Sequence, residues 1–175
     1  MDAGASLYTS YLNGDESALG KLVELYGDKL MFFINSFVGN LSMAEEIMED
    51  VFMELIIKKH HFKGKSTFKT YLFQIGRNKA LNEIKKKKRY TYLEDQTMEI
   101  EDERKIEDAI IKNEEQKRIH EALLKLPKDY KTVLYLLYFE DMSYEEIEKV
   151  MKKSNKQIKN LAYRARQSLK EILEG

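Results

Sequence analysis

The side chains best suited to recognition chemistry lie near the C-terminal end of the chain. Amide and cationic side chains recur there on the outward face of a predicted helix, at Lys156, Gln157, Lys159, Asn160, Tyr163, Arg164 and Arg166. Such side chains donate hydrogen bonds to base edges in the major groove of DNA, and the same cations neutralise phosphates. The pattern favours DNA binding over the alternative, an ordinary solvated helix face.

A second basic segment differs from the first because aromatic residues alternate with its cations. Its members are Phe62, Lys63, Lys65, Phe68, Lys69, Tyr71, Phe73, Arg77 and Tyr90. Aromatic faces stack on unpaired bases, while lysines follow the backbone of a single strand. Helical spacing favours a core position for Phe68 and Phe73. For the cations and for Tyr71, the pattern favours contact with nucleic acid.

A run of carboxylates precedes this segment at the three- and four-residue spacing that can align metal ligands: Glu45, Glu46, Glu49, Asp50 and Glu54. Neither Glu-x-x-His nor His-Glu-x-x-His accompanies them, so each of the three histidines is expected to be a surface or packing residue. Phosphate-binding glycine loops and the nucleophile elbow of hydrolases do not occur. The sequence therefore predicts no catalytic group, no metal and no cofactor.

The composition limits the class of protein that these residues belong to. With 175 residues, 43% hydrophobic and 34% charged, the chain can form one medium domain or two small ones. It has no cysteine, no apolar run of membrane-spanning length and no signal pattern, which predicts a cytoplasmic protein without membrane insertion. One proline and eight glycines among many helix-forming residues predict an all-α fold.

The formal net charge of zero hides alternating blocks of opposite sign. Residues 1–57 carry 2 basic and 10 acidic side chains, whereas residues 58–90 carry 12 and 1. Residues 91–116 carry 3 and 10, and residues 152–175 carry 7 and 2. Such blocks indicate separate surfaces for separate partners, with the basic ones suited to phosphates and the acidic ones to a basic partner.

Three amphipathic helices are predicted in the first half of the chain. The first spans 15–37 and is closed by Gly39, and the second begins at Ser42 and ends near the basic pair before the first histidine. The third begins at Ser66 and continues to the lysine cluster. Gly76 inside it costs about 1 kcal/mol relative to alanine, which predicts a close packing contact or a slight bend.

The apolar period disappears over residues 91–103, where acidic residues dominate, and this predicts a linker. A helix over 105–126 follows, stopped by a proline, and then a helix over 128–139. A short helix opened by Ser143 and a last helix over 155–173 form a predicted helix-turn-helix. The expected architecture is two small helical domains, 1–90 and 114–175, joined by an acidic linker over 91–113.

Three stretches, in this order along the chain, resemble a bacterial sigma factor of the sigma-70 superfamily, of the extracytoplasmic-function type. AEEIMEDVFMEL, at residues 44–55, resembles the family's acidic polymerase-binding helix. FKGKSTFKTYLFQIGRNKALNEIKKKKR, at residues 62–89, resembles its promoter-melting and minus-ten region. Residues 126–173 resemble its minus-thirty-five-binding domain.

This resemblance implies a factor without catalytic groups that binds core RNA polymerase, directs it to promoter DNA and helps open the duplex. It assigns polymerase binding to Glu45, Glu46, Glu49, Asp50 and Phe52. It assigns minus-ten binding to Lys63, Gly64, Lys65, Ser66, Lys69, Tyr71, Arg77 and Asn78, with a flipped base received by the loop over 63–66. The C-terminal set would read the minus-thirty-five element, and an anti-sigma protein is a candidate partner.

Three residues depart from the family's usual pattern. Tyr71 stands where the family usually has tryptophan, Glu148 replaces a small residue, and Lys152 replaces a turn glycine. If Lys152 adopts a left-handed conformation, it costs about 1–2 kcal/mol. These departures bear on the fine geometry more than on the function, and those at Glu148 and Lys152 bear on the crossing of the two DNA-reading helices.

Two other functions remain as alternatives to a sigma factor. A stand-alone helix-turn-helix regulator would use only the C-terminal domain for DNA and would need a dimer interface or an effector pocket in the first. A helical adaptor would have no role on DNA. The acidic helix and the aromatic basic loop of the first domain favour the sigma factor.

Overall fold

The computed structural model describes residues 2–90 and 113–175, and within them every regular element is an α-helix. The eight helices are α1 (Ala3–Leu12), α2 (Ser17–Val38), α3 (Leu41–Ile57), α4 (Phe68–Tyr90), α5 (Glu114–Leu123), α6 (Lys128–Tyr138), α7 (Tyr144–Met151) and α8 (Asn155–Glu174). They fall into two compact units, the N-terminal unit α1–α4 and the C-terminal unit α5–α8. The all-α prediction is confirmed. The predicted linker and the predicted helix lie outside the described residues as far as residue 112, and Asn113 caps α5.

The N-terminal unit is built around α2, which packs against the three other helices of the unit. This helix ends where Gly39 takes the left-handed conformation at φ 64°, as its glycine predicts. Leu30, on α2, lies against α4 so closely that a Cβ at Gly76 would be 2.8 Å from its Cδ1. The predicted close contact at this glycine is therefore confirmed.

Three features of the N-terminal unit differ from the prediction. Helix α1 was not predicted, and its cap Asp2 accepts from the Ala5 backbone N–H at 2.9 Å. Helix α3 is capped by Asn40 rather than by Ser42. The first turn of α4 is capped by Thr67, whose Oγ1 accepts from the Thr70 N–H at 3.1 Å, and not by Ser66.

The C-terminal unit places the predicted helix-turn-helix in α7 and α8, both of which pack their apolar faces inward. Each of the two helices begins with a complete capping box, in which a serine and the residue three positions later bond each other's backbone N–H. Helix α5 ends at Leu123, three residues earlier than predicted, and a turn leads to Pro127.

Within the described ranges, no helix is long and apolar enough to cross a membrane.

Candidate nucleic-acid interface

Helix α8 separates its faces in the way a recognition helix requires. Ile158, Ala162, Ala165 and Leu169 are buried. All seven predicted DNA-binding side chains lie on the opposite, exposed face: Lys156, Gln157, Lys159, Asn160, Tyr163, Arg164 and Arg166. Tyr163 is 65% exposed, which is high for an aromatic side chain and leaves its ring open to a partner.

Gln157 has a structural role beside its predicted one. Its Oε1 accepts the Ser154 backbone N–H at 2.8 Å, which completes the capping box of α8. Asn155 donates from Nδ2 to Glu148 Oε2 at 3.2 Å across the turn. Glu148, one of the three departures from the family pattern, thus joins α7 to the first turn of α8.

Arg166 is also joined to a neighbouring helix. Its Nη1 donates to the Tyr144 hydroxyl oxygen at 3.2 Å. This hydrogen bond is the main cause that raises the pKa of Arg166, and a hydrogen bond to Tyr138 adds to the rise. The guanidinium therefore remains exposed but is oriented by the start of α7 and the end of α6.

The turn between α7 and α8 requires a left-handed residue at Lys152, which has φ 55° and ψ 47°. Its backbone N–H donates to the Glu148 carbonyl and closes α7. Lys152 thus adopts the left-handed conformation for which a cost was predicted, because it has a Cβ where glycine would adopt the same conformation without cost.

The loop between α3 and α4 carries the first group of predicted minus-ten residues. Lys63, Gly64 and Lys65 are exposed and Ser66 is half-buried. Gly64 has φ 73°, a conformation that favours glycine over residues with a Cβ. Two exposed lysines beside a left-handed glycine form a site suited to a phosphate backbone.

The remaining predicted minus-ten residues lie on α4, where Lys69, Tyr71, Arg77 and Asn78 are all half-buried. The Tyr71 ring packs 5.1 Å from the Phe62 ring, centroid to centroid. Burial is the main cause that raises the pKa of Tyr71, and the Glu54 carboxylate raises it further. Tyr71 is therefore partly exposed beside an aromatic neighbour, whereas Phe68 and Phe73 are fully buried, as their spacing predicts.

The acidic surface is on α3, where Glu45, Glu46, Glu49 and Asp50 are all exposed. Phe52 does not belong to this surface. It is only 6% exposed and packs in the core, because its position falls on the apolar face of the helix. Its predicted role in polymerase binding stays a prediction.

The sequence analysis missed two apolar residues that share the outward side of α3 with the carboxylates. Met53 is 52% exposed and Ile57 is 72% exposed. They are four residues apart and so lie on one face, one turn from each other. The helical period places both positions opposite the buried residues of α3, so this signal was present in the sequence.

Among the described residues, no group of histidine and carboxylate side chains is arranged to hold a metal ion. His60 and His61 are exposed, whereas His120 is buried with its ring edge against Phe139 at 6.3 Å. The histidines thus have the surface and packing positions expected of them.

Two family models match the chain. One describes sigma-70 region 2 and matches residues 22–90, which include α2, α3 and α4. The other describes sigma-70 region 4 and matches residues 116–169, which include the helix-turn-helix.

Similar curated proteins span nearly the whole chain. The ECF RNA polymerase sigma factor SigW of Bacillus subtilis is 29% identical over 170 residues, covering 91% of each chain. The RNA polymerase sigma-H factor of Pseudomonas aeruginosa is 29% identical over 171 residues, covering 92% of this chain and 89% of the relative.

The fold is also similar to solved structures. The sigma factor RpoE in complex with the anti-sigma factor NepR from Bartonella quintana matches with a TM-score of 0.69 at 23% identity, covering 89% of this chain and 96% of that one. CnrH in complex with the cytosolic domain of CnrY matches with a TM-score of 0.68 at 23% identity, covering 99% and 98%.

Proposed function

The chain belongs to the sigma-70 family and is a promoter-directing RNA polymerase sigma factor of the extracytoplasmic-function type. We propose that each of its exposed surfaces has one task in transcription initiation. Residues 1–90 bind core polymerase and the minus-ten element, and residues 114–175 bind the minus-thirty-five element. The observation that carries this proposal is that three surfaces are exposed. They are the acidic face of α3, the loop between α3 and α4 at Lys63 and Lys65, and the DNA-binding face of α8. The protein acts in the cytoplasm and has no catalytic group or cofactor of its own.

The acidic face of α3, together with Met53 and Ile57, forms the polymerase interface in this proposal. Charged groups at an interface chiefly set encounter rate and partner choice, while buried apolar anchors supply affinity. The double reversal Glu49→Lys and Asp50→Lys should abolish binding to core polymerase with helicity unchanged. Met53→Ala with Ile57→Ala should also weaken binding.

The reversal needs a control of equal charge. Glu24 and Asp28 are exposed on α2, four residues apart, so Glu24→Lys with Asp28→Lys makes the same change in net charge on another helix. Binding is measured by titrating labelled chain with core polymerase. Unchanged affinity in the α3 variant, or equal loss in both variants, would remove this face from the interface.

The loop between α3 and α4 and the partly exposed ring of Tyr71 bind the unpaired minus-ten strand in this proposal. Stacking contributes about 1–3 kcal/mol per base. Tyr71→Ala should therefore slow opening of the duplex without weakening the closed complex, whereas Tyr71→Phe keeps the ring and should retain opening. A loss of folding stability alone in Tyr71→Ala would show that the ring serves only the core.

The exposed face of α8 reads the minus-thirty-five element. We assign base contacts to Lys156, Gln157, Asn160 and Arg164, and phosphate contacts to Lys159 and Arg166. Alanine at a base contact should cost about 1–3 kcal/mol and relax preference at one promoter position. Alanine at a phosphate contact should weaken all sequences alike and lower the salt slope by about 1. The assay titrates promoter duplexes, varied one base pair at a time, at two salt concentrations.

Two similar structures are complexes with an anti-sigma factor and with the cytosolic domain of CnrY. For this chain we place an anti-sigma protein among the partners, bound over the surfaces that otherwise contact polymerase. A partner that copurifies with the chain should compete with core polymerase. If the two bind the chain at the same time, they occupy different surfaces.

One experiment separates this function from its alternatives. The purified chain is added to core polymerase, and specific transcripts are mapped on genomic templates. A sigma factor makes core polymerase start at defined promoters, whereas a stand-alone regulator changes transcription only with another initiation factor present. A helical adaptor changes transcription neither with core polymerase alone nor with another initiation factor present.

A further inference from the structure

Among the described residues, α1 is the one helix that the sequence analysis missed, and it makes hydrogen bonds at both ends of the loop between α3 and α4. The loop consists of residues 58–67, with the proposed base-binding tip at 63–66. Close packing holds α1 in place, since a Cβ at Gly4 would lie 2.6 Å from the Tyr26 hydroxyl oxygen and 2.8 Å from Phe68 Cδ1.

Asp2 joins the starts of two helices with one carboxylate. Its Oδ1 accepts from the Ala5 N–H at 2.9 Å, which caps α1. Its Oδ2 accepts from the Phe68 N–H at 3.2 Å, at the first residue of α4. Helix N-termini leave backbone donors without helical partners and favour a negative charge, so this carboxylate stabilises both ends at once. The second bond fixes the residue at which the loop ends.

Tyr8 makes the matching contact where the loop begins. Its hydroxyl donates to the Leu55 carbonyl in the last turn of α3 at 3.2 Å. Burial is the main cause that raises the pKa of Tyr8, and a hydrogen bond from the His60 backbone partly offsets the rise. One buried hydroxyl thus contacts the end of α3 and also His60, which has φ 69°.

Other α1 contacts restrain the rest of the loop's base. The Lys59 ammonium lies 5.5 Å from the centre of the Tyr11 ring. The Phe62 ring lies 6.4 Å from the Tyr8 ring, edge to face. The tip, with Lys63 and Lys65, stays exposed. The loop is therefore held at its base and open at its tip.

We propose that α1 is a brace that preorganises this loop for an unpaired promoter base, with Asp2 as its main positioning residue. The inference rests on the proposed minus-ten role of the loop. A loop held in its binding conformation loses less conformational entropy when a ligand binds. Loss of the brace should therefore weaken capture of the unpaired strand and leave recognition of paired DNA and binding of polymerase unchanged.

The isosteric variant Asp2→Asn separates the two bonds of the carboxylate. The asparagine Oδ1 still accepts from the Ala5 N–H and caps α1, but the amide NH₂ cannot accept from the Phe68 N–H. Asp15→Asn is the matched control, because Asp15 accepts from the Ser17 N–H at the start of α2. Tyr8→Phe keeps the buried ring and removes only the hydroxyl at the other side of the loop.

The experiment uses holoenzyme made from core polymerase and the full chain, with a promoter mapped for the wild-type chain. Affinity is measured for that promoter as paired duplex and as a duplex with a mismatched bubble over the minus-ten element. Asp2→Asn should lower affinity for the bubble DNA about fivefold, the effect of one hydrogen bond, with affinity for the duplex unchanged. Tyr8→Phe should do the same, and Asp15→Asn should have no effect.

The brace is overturned if Asp2→Asn binds bubble and paired DNA as wild type does. It is also overturned if both affinities fall together, or if binding to core polymerase falls with them, because that result indicates a general structural role. If the wild-type holoenzyme itself does not prefer the bubble over paired DNA, the proposed minus-ten function fails and the brace fails with it. A wild-type preference without an Asp2→Asn effect overturns the brace alone.

Discussion

One substitution, glycine to alanine, should have opposite effects at two helical positions of the N-terminal unit. Gly20 is exposed on α2 with open space where a Cβ would stand. Gly20→Ala should therefore raise the free energy of unfolding by about 1 kcal/mol, the difference in helix propensity. Gly4→Ala, in the first turn of α1, gains at most as much propensity but places a Cβ 2.6 Å from the Tyr26 hydroxyl oxygen and 2.8 Å from a Phe68 ring carbon.

Aromatic rings on α2 and α4 cannot withdraw as a flexible chain end can, so the overpacking cost at Gly4 should be near the upper end of about 1–3 kcal/mol. After the propensity gain is subtracted, Gly4→Ala should lower the free energy of unfolding by about 1–2 kcal/mol. For a unit of this size, 1 kcal/mol shifts the melting temperature by about 4–8 °C.

The two variants are compared by thermal unfolding of the full chain, with hydrogen exchange at α1 and α2 amides assigning the change to the N-terminal unit. If Gly4→Ala is as stable as Gly20→Ala, the packing of α1 against the two rings is not as tight as the structure indicates. Gly4→Ala should also weaken binding to the bubble DNA, because α1 must shift away from the loop.

Three further predictions concern a turn, a buried hydroxyl and a helix cap. Lys152→Gly should stabilise the C-terminal unit by about 0.5–1 kcal/mol, because it relieves the left-handed strain, while the greater entropy of the unfolded chain offsets part of the gain. Hydrogen exchange measures the change. Lys152→Ala removes the same charge but keeps a Cβ, so it should not stabilise the unit. Burial, followed by the nearby Glu140 carboxylate, raises the pKa of Tyr135 well above its usual value. The stability that the neutral Tyr135 hydroxyl contributes is therefore present below about pH 10 and should be lost as the pH rises further. In a series of melting temperatures against pH, Tyr135→Phe should reduce this alkaline loss. Thr67→Ala should cost about 1 kcal/mol in denaturant unfolding and Ser66→Ala should cost much less, and equal costs would contradict the observed cap.

The sequence predicts the amphipathic helices well, including the eight-residue α7, but it misses α1, which has no such pattern. Its buried residues are Gly4, Ala5 and Tyr8, so it presents no apolar stripe of large side chains. It is held by aromatic rings that other helices bring to it, and by bonds to residues about 50 or more positions away. Contacts of that kind arise only when the fold has formed, so no local pattern records them.

Caps and surface positions show the same limit at the level of single residues. Asn40 and Ser42, and likewise Ser66 and Thr67, are capping residues that lie almost side by side, and propensity alone does not choose between them. Phe52 falls on the apolar face by period and is buried there, whereas its predicted role in polymerase binding followed the resemblance. The charged positions on the outward faces of α3 and α8 were predicted correctly, because charged residues at helical spacing define them directly.

The capping box at the start of α8 limits how this protein can be retargeted to new promoters. Gln157 supplies the cap through Oε1 while it lies on the face that reads DNA. Glutamine and glutamate are the residues that complete such a box, and most replacements at this position would lose about 1 kcal/mol of helix stability along with the old preference. A change of promoter specificity, by design or by evolution, can therefore use few residue types at position 157. Lys156 and Asn160 lie outside the capping box, so more residue types are tolerated at these two positions.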